Sequence, residues 1–254
     1  MQNKFCFIIP VYNHGATVEA VLTSLKPYGF PIIVVDDGND QRNKDLILAA
    51  VKKFDGVSLV TARKNGGKGK AFALGIREAN RMGYTHAFQI DADGQHDSNC
   101  CSSFIQASEE NPKAIICGVP VFDSSVPEHR KNGRKISNNY GKFVALNGNV
   151  GDILCGCRIY PVDVYIKILN QHAIIDSRMA FDIDILIHYL WKGVEEINLP
   201  VNVTYPQDGV SNFRMVRDNL HIAAAYTRLT IGMIFRLPKL LYFMAKRHSK
   251  KQEK

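Results

Sequence analysis

No stretch of this sequence is both long and apolar enough to cross a bilayer. The first apolar run, Phe5 to Ile9, stops at Pro10 and is followed by Asn13, well short of the ~18 residues a spanning helix needs and too short for a signal-peptide core. The expected location is therefore the cytoplasm. The six cysteines (Cys6, Cys100, Cys101, Cys117, Cys155, Cys157) include no C-x-x-C pair and no histidine at finger spacing, which argues against a zinc site or a disulfide framework and for free buried thiols. Two glycine signatures are also missing. Where a G-x-G-x-x-G turn would follow the first strand, the chain has Pro10-Val11-Tyr12-Asn13-His14-Gly15, which excludes a classical dinucleotide loop. Asn65-Gly66-Gly67-Lys68-Gly69-Lys70 is glycine-rich and basic, yet no Ser or Thr follows Lys68 and no glycine lies five before it. That is not a P-loop, although backbone N–H groups and a cation at a helix start still suit a phosphate-bearing ligand.

What is present is a chain of 254 residues, 46% hydrophobic and 22% charged, the composition of one soluble α/β domain with an appendage. Strand-like and helix-like segments alternate: a strand over Phe5 to Ile9, a helix from Thr17 (a plausible cap) to Leu25, a strand over Ile32 to Val35, a helix around Lys44 to Lys53, a strand over Val57 to Thr61, a helix from Lys68 to Met82, and a strand ending at Asp91. Unbroken apolar strands between helices signal a mostly parallel sheet covered on both faces. In such sheets ligands sit at the carboxyl ends of the strands. Tyr12 and Asn13, Asp36 and Asp37, and Asp91 and Asp93 all fall there.

Asp91 and Asp93 flank Ala92, so an extended backbone would aim both carboxylates the same way, with Gly94 turning the chain and Gln95 offering a further oxygen. Hard oxygen donors of this kind suit Mg²⁺ or Mn²⁺. A polar turn leading to a helix cap at Asp97 or Ser98 is the plainer alternative.

Positive charge is confined to the end of the chain. Ten of the 32 Lys and Arg residues, but only two of the 24 acids, fall from Arg214 onward, leaving 22 against 22 before it. That segment mixes the cations with apolar residues and contains Pro238, which is expected to kink or split a helix. It reads either as an amphipathic helix in a membrane interface or as a helix packed on the core with a solvated lysine tail.

Phe7-Ile8-Ile9-Pro10-Val11-Tyr12-Asn13, Val34-Val35-Asp36-Asp37-Gly38, Asn65-Gly66-Gly67-Lys68-Gly69-Lys70-Ala71 and Asp91-Ala92-Asp93-Gly94-Gln95-His96 follow one another in an order and spacing that resembles the family 2 glycosyltransferases of the GT-A fold, particularly the dolichyl-phosphate mannosyltransferase-like branch. The likeness continues through Cys155-Gly156-Cys157-Arg158 and Phe181-Asp182-Ile183-Asp184 to Gly209-Val210-Ser211-Asn212-Phe213-Arg214, so that residues 4–217 are covered. Two departures stand out: His14 where many relatives have Glu, and Cys157 where they usually have an aromatic before the arginine.

The resemblance implies one GT-A domain over residues 1–217, with a nucleotide-sugar half (1–97) and an acceptor half (98–217), followed by a helical tail over 218–254. It implies that Pro10 and Tyr12 line the donor base, that Asp36 and Asp37 hydrogen-bond base and ribose, and that Lys68 and Asp91 lie at the donor nucleotide and its phosphates. Asp91, Asp93 and Gln95 would hold Mg²⁺ or Mn²⁺ on the diphosphate. Asp182 falls where an inverting transferase keeps its base, with Asp184 beside it. Arg130, Arg134 and Ser137, in a basic stretch that reads as a loop or helix start, would grip an acceptor phosphate, and Ser211 and Arg214 would close over the phosphates. The expected activity is metal-dependent, inverting transfer of a sugar from a UDP- or GDP-linked donor to a lipid-linked or membrane-proximal acceptor. No role on nucleic acid is expected, and a peripheral place on the cytoplasmic face of the membrane is. A sugar nucleotidyltransferase usually shows a G-x-G-x-R loop after its first strand, which is lacking here; a non-catalytic sugar-nucleotide-binding subunit would have no need of the metal-type acids.

Overall fold

The computed structural model describes residues 3–94, 98–122, 128–171, 173–178, 180–203 and 215–252. Among them a single seven-stranded sheet carries the fold, in the order β3-β2-β1-β4-β6-β5-β7. Its strands are β1 (Phe5–Val11), β2 (Ile32–Asp36), β3 (Val57–Thr61), β4 (His86–Gln89), β5 (Ile115–Phe122), β6 (Arg158–Pro161) and β7 (Glu196–Val203). The first four run parallel. Only β6 runs against its neighbours β4 and β5, while β5 and β7 are parallel.

Of the apolar runs read as strands, β1, β2 and β4 are buried on both faces, whereas the edge strand β3 is only half-buried. Along β1, Phe5, Phe7, Ile9 and Val11 enter one core and Cys6 and Ile8 the other, the two-residue period of a pleated strand. One core lies under α1 (Val18–Leu25), α2 (Gln41–Val51) and α4 (Cys101–Glu110). The other lies under α3 (Lys68–Arg81), α6 (Val162–Asn170), α7 (Phe181–Trp191) and the long α8 (Met215–Gln252). α5 (Glu128–Ala145) packs against α7 and α8. The basic stretch around Arg130 and Arg134 is therefore helical throughout.

Three local expectations are corrected. Thr17 makes no side-chain cap; its hydroxyl lies 2.5 Å from the carbonyl oxygen of Ala92, tying α1 to the turn that carries Asp91 and Asp93. α2 starts at Gln41 rather than Lys44 because Asp40 caps it, accepting from the Asn43 N–H at 2.8 Å, which satisfies one of the otherwise orphaned N–H groups. α8 runs unbroken through Pro238. A proline there removes one backbone donor, but Ile234, whose carbonyl it would serve, lies on the exposed side of the helix, where water can replace it. The inner side of α8, with Ala225, Leu229, Met233 and Leu240, belongs to the core.

All six cysteines are free, five of them buried. Burial pushes the thiols of Cys6 and Cys155 up to about 12, which keeps them protonated and unreactive.

Candidate active site

The carboxyl ends of β1 and β2 are stitched together by one asparagine. The Asn39 side-chain amide donates to Val11 O at 2.8 Å and to Asp36 Oδ1 at 2.7 Å, and its own oxygen accepts from Asn13 N at 2.7 Å. Asn13 takes a positive φ of 60°, a conformation asparagine tolerates better than most residues. Asp36 Oδ1 also accepts from Asn39 N. Tyr12 emerges partly exposed beside this knot, with Pro10 half-buried one pleat earlier.

Asp37 holds the neighbouring glycine loop in place. Its two oxygens accept from Gly66 N and Gly67 N, each at 2.8 Å, and from the Asn65 amide at 2.9 Å, so its carboxylate shapes the Asn65–Gly67 loop. Burial pushes this carboxyl above its usual value, and the two glycine N–H groups pull it back part of the way. Gly67 has φ +91°, and a Cβ there would fall 2.2 Å from Ser177 O; only glycine lets the loop lie against the segment before α7.

That loop aims Lys68, the first residue of α3, into the centre. Its Nζ lies 2.9 Å from Asp91 Oδ1 and 3.0 Å from Asp182 Oδ2. Burial works against the ammonium charge, but the flanking Asp182 and Asp91 outweigh it and hold the lysine above its ordinary value. Asp182 is fixed in turn: Gln89 Nε2 donates to its Oδ1 at 3.0 Å, Tyr160 OH donates to Gln89 Oε1 at 3.1 Å, and Arg158 Nη1 donates to the Asp182 backbone oxygen. The backbone at Gly156 closes over the group, since a Cβ there would sit 2.7 Å from Lys68 Nζ and 3.0 Å from Asp91 Oδ2. A cavity of about 430 Å³ borders Asp91, Asp93, Gly94 and Thr17.

The structure thus brings Lys68, Asp91 and Asp182 into contact, sets Asp93 beside Asp91 at one cavity, and places Asp36, Pro10 and Tyr12 at the ends of β2 and β1. It leaves Asp184 out. Residues two apart on a helix point about 200° from one another, so Asp184 faces the interior, fully buried, where Oδ2 accepts from Asp176 N and pairs with Arg228 of α8. Arg134 pairs through two guanidinium nitrogens with Asp152. Ser137 lies half-buried one turn further along α5. Arg130 lies in α5, but its side chain, together with Gln95, Ser211 and Arg214, falls outside the described residues.

Asn39, Gln89, Tyr160 and Arg158 were not singled out for these roles from sequence. Gln89 and Arg158 did leave a signal, as polar residues inside buried strands. Among the described residues no three His, Cys, Asp or Glu side chains come together to hold a metal unaided. What the centre offers is a caged cation, flanking carboxylates and a helix N-terminus at the edge of a parallel sheet, a set suited to a phosphate-bearing ligand.

The family described as Glycosyl transferase family 2 matches residues 6–169. Polyprenol monophosphomannose synthase of Mycolicibacterium smegmatis is 28% identical over 211 residues, which cover 80% of this chain and 78% of that protein. Among solved structures, mannosyl-3-phosphoglycerate synthase from Rubrobacter xylanophilus superposes with a TM-score of 0.64 at 14% identity, covering 93% of this chain and 75% of that one. Glucosyl-3-phosphoglycerate synthase from Mycobacterium tuberculosis, solved with Mn²⁺, uridine diphosphate and phosphoglyceric acid, superposes with a TM-score of 0.58 at 14% identity, covering 91% and 77%.

Proposed function

The chain belongs to glycosyl transferase family 2, and from that premise we propose that it moves a sugar, with inversion, from a UDP- or GDP-linked donor to a polyprenyl- or dolichyl-type lipid phosphate. The observation that carries the reading is Lys68 caged between Asp91 and Asp182 at the carboxyl edge of the sheet. A phosphate oxygen arriving there can replace either carboxylate as partner of the ammonium. Pro10, Tyr12 and Asp36 then receive the nucleoside, and Lys68 meets its diphosphate.

Asp91 and Asp93 fit a divalent cation: they supply carboxylate oxygens, and the substrate phosphates complete the shell, as is usual for Mg²⁺ and Mn²⁺. Gln95 is the further ligand proposed. Bound there, the ion would neutralise charge on the departing nucleoside diphosphate. A neighbour of the same fold that was solved with Mn²⁺ and uridine diphosphate supports this assignment.

The acceptor assignment is supported by the likeness to a polyprenol monophosphomannose synthase and by α5, from which Arg130, Arg134 and Ser137 would meet the acceptor phosphate; arginine suits such oxygens through its two-pronged geometry. Ser211 and Arg214 are proposed to close over the donor. An ionised phosphate needs no base to become a nucleophile. Asp182 then has no proton to take, and the hydrogen bonds it accepts from Gln89 and Lys68 support a part in aligning the lysine. Asp182→Asn is expected to lower kcat by about ten- to a hundredfold with the acid limb of the pH profile unchanged, at or below the low end of what loss of a general base costs. A loss beyond a thousandfold with the acid limb gone would return the base role to Asp182.

The reaction is tested with labelled UDP- and GDP-sugars, Mn²⁺ and a short-chain polyprenyl phosphate. The expected result is a labelled lipid product and free nucleoside diphosphate. Release of pyrophosphate, or no turnover of any donor, would overturn the proposal in favour of a nucleotidyltransferase or a binding subunit.

A further inference from the structure

α8 has two apolar sides, and among the described residues only one meets the core. Opposite its core-facing residues, Leu220, Ile231, Phe235 and Tyr242 recur at whole numbers of helical turns and are all exposed, Phe235 by 82%. The surface extends onto α5. There Tyr140 stacks on Tyr226 of α8 with ring centroids 3.9 Å apart. Ile136 and Phe143, four residues before and three after Tyr140 on the same helical face, are exposed by 70% and 53%. Contiguous large apolar side chains of this kind mark an interaction surface.

Charge identifies the occupant. Lys239 and Lys246, seven apart, border the stripe on α8, and Lys135 and Lys142, also seven apart, adjoin Ile136 and Phe143 on α5. Neither helix supplies an acid to offset them: α8 has none after Asp218, and α5 none after Glu128. A second copy of this chain would set like charges against each other. No described helix is long and apolar enough to cross a membrane. We propose that the outward faces of α5 and α8 form a docking surface for an anionic lipid bilayer, with the aromatic and aliphatic side chains at the headgroup–acyl boundary and the lysines on the headgroups. The inference rests on and deepens the lipid-phosphate reading, because docking on a bilayer brings the chain to the surface where a lipid phosphate lies.

Flotation of the full chain with vesicles of phosphatidylcholine, with and without phosphatidylglycerol, tests the proposal with no donor present. The wild type is expected to float with the anionic vesicles only and to be released by salt. Ile231→Asp with Phe235→Asp, and separately Lys239→Glu with Lys246→Glu, are each expected to lower vesicle partition at least tenfold while leaving the melting temperature unchanged. A wild type that stays unbound, or variants that float as well as it does, would overturn the proposal. A wild type that ignores vesicles but sediments as a dimer that Ile231→Asp with Phe235→Asp dissolves would overturn it too, in favour of a second copy. Vesicle binding without any turnover of lipid phosphate would instead sink the reaction proposed above and leave the docking surface standing.

Discussion

Lys68 can occupy the centre only because position 156 has no side chain. A Cβ at Gly156 would fall 2.7 Å from Lys68 Nζ, 2.9 Å from Gln89 Nε2 and 3.0 Å from Asp91 Oδ2, closer than such atoms approach. Of these three, the lysine tip is the most mobile, so it is the group that yields. Gly156→Ala is therefore expected to keep the fold, with a melting temperature within a few degrees of wild type, yet to cut kcat/KM at least tenfold, about 1.4 kcal/mol of transition-state stabilisation. Steady-state rates beside a thermal melt decide it, and full activity in the variant would mean that the cage around Lys68 is not needed. At this scale the acids and Lys68 were legible in the sequence because each stands in a short local pattern, a strand end or a glycine turn. Their supports were not. Gln89 and Arg158 face each other across the antiparallel β4–β6 pair, and Tyr160 lies two residues further along β6. Only the strand register makes those three neighbours.

The start of α7 shows what a helix does to adjacent acids. Asp182 and Asp184 look alike in sequence, as first-turn carboxylates favoured by the helix dipole, but one turns to the active centre and the other to α8. Burial, partly offset by Arg228, pushes the Asp184 carboxyl up to about 6, and its Oδ1 has no hydrogen-bond partner. The same region is tied again where His221 of α8 meets Asp176 at 2.9 Å. Removing Arg228 would strand a buried carboxylate, a loss of roughly 3–5 kcal/mol for a fully buried pair; the Arg228 side chain is 28% exposed, so water will offset part of it. Arg228→Ala is expected to lower unfolding stability by about 2–3 kcal/mol in urea, and Asp184→Asn with Arg228→Met to restore most of it, because no charge is then left behind. A change under about 0.5 kcal/mol for Arg228→Ala would show that the pair does not hold α8. The sequence marked α8 as amphipathic. It could not show that the helix continues past Pro238 without splitting, since that depends on which side of the helix meets water.

One sheet joins β1–β4 to β5–β7, so buried titratable groups along the whole chain contribute to a single pH dependence of folding. Burial pushes Glu196 up to about 7 and Asp184 up to about 6. An unfolded glutamate gives up its proton near 4.3, so between that pH and about 7 the folded state binds more protons than the unfolded one, and stability falls as pH rises. Buried histidines work the other way. Burial lowers His188 to about 4 and also lowers His86, so as pH drops below about 6.5 the unfolded chain takes up protons that the folded one refuses, and stability falls as pH drops. The acids oppose the histidines between pH 5 and 6, so the melting temperature of the wild type is expected to vary less with pH there than either set alone would make it. Glu196→Gln removes one opposing slope without removing a hydrogen-bonding side chain. In that variant stability should climb with pH by up to about 1.4 kcal/mol per unit, a rise in melting temperature of a few degrees from pH 5 to 6. Differential scanning calorimetry in matched buffers reads this directly. Parallel pH profiles for wild type and Glu196→Gln would mean that Glu196 titrates as an ordinary solvated acid and that its burial carries no linkage.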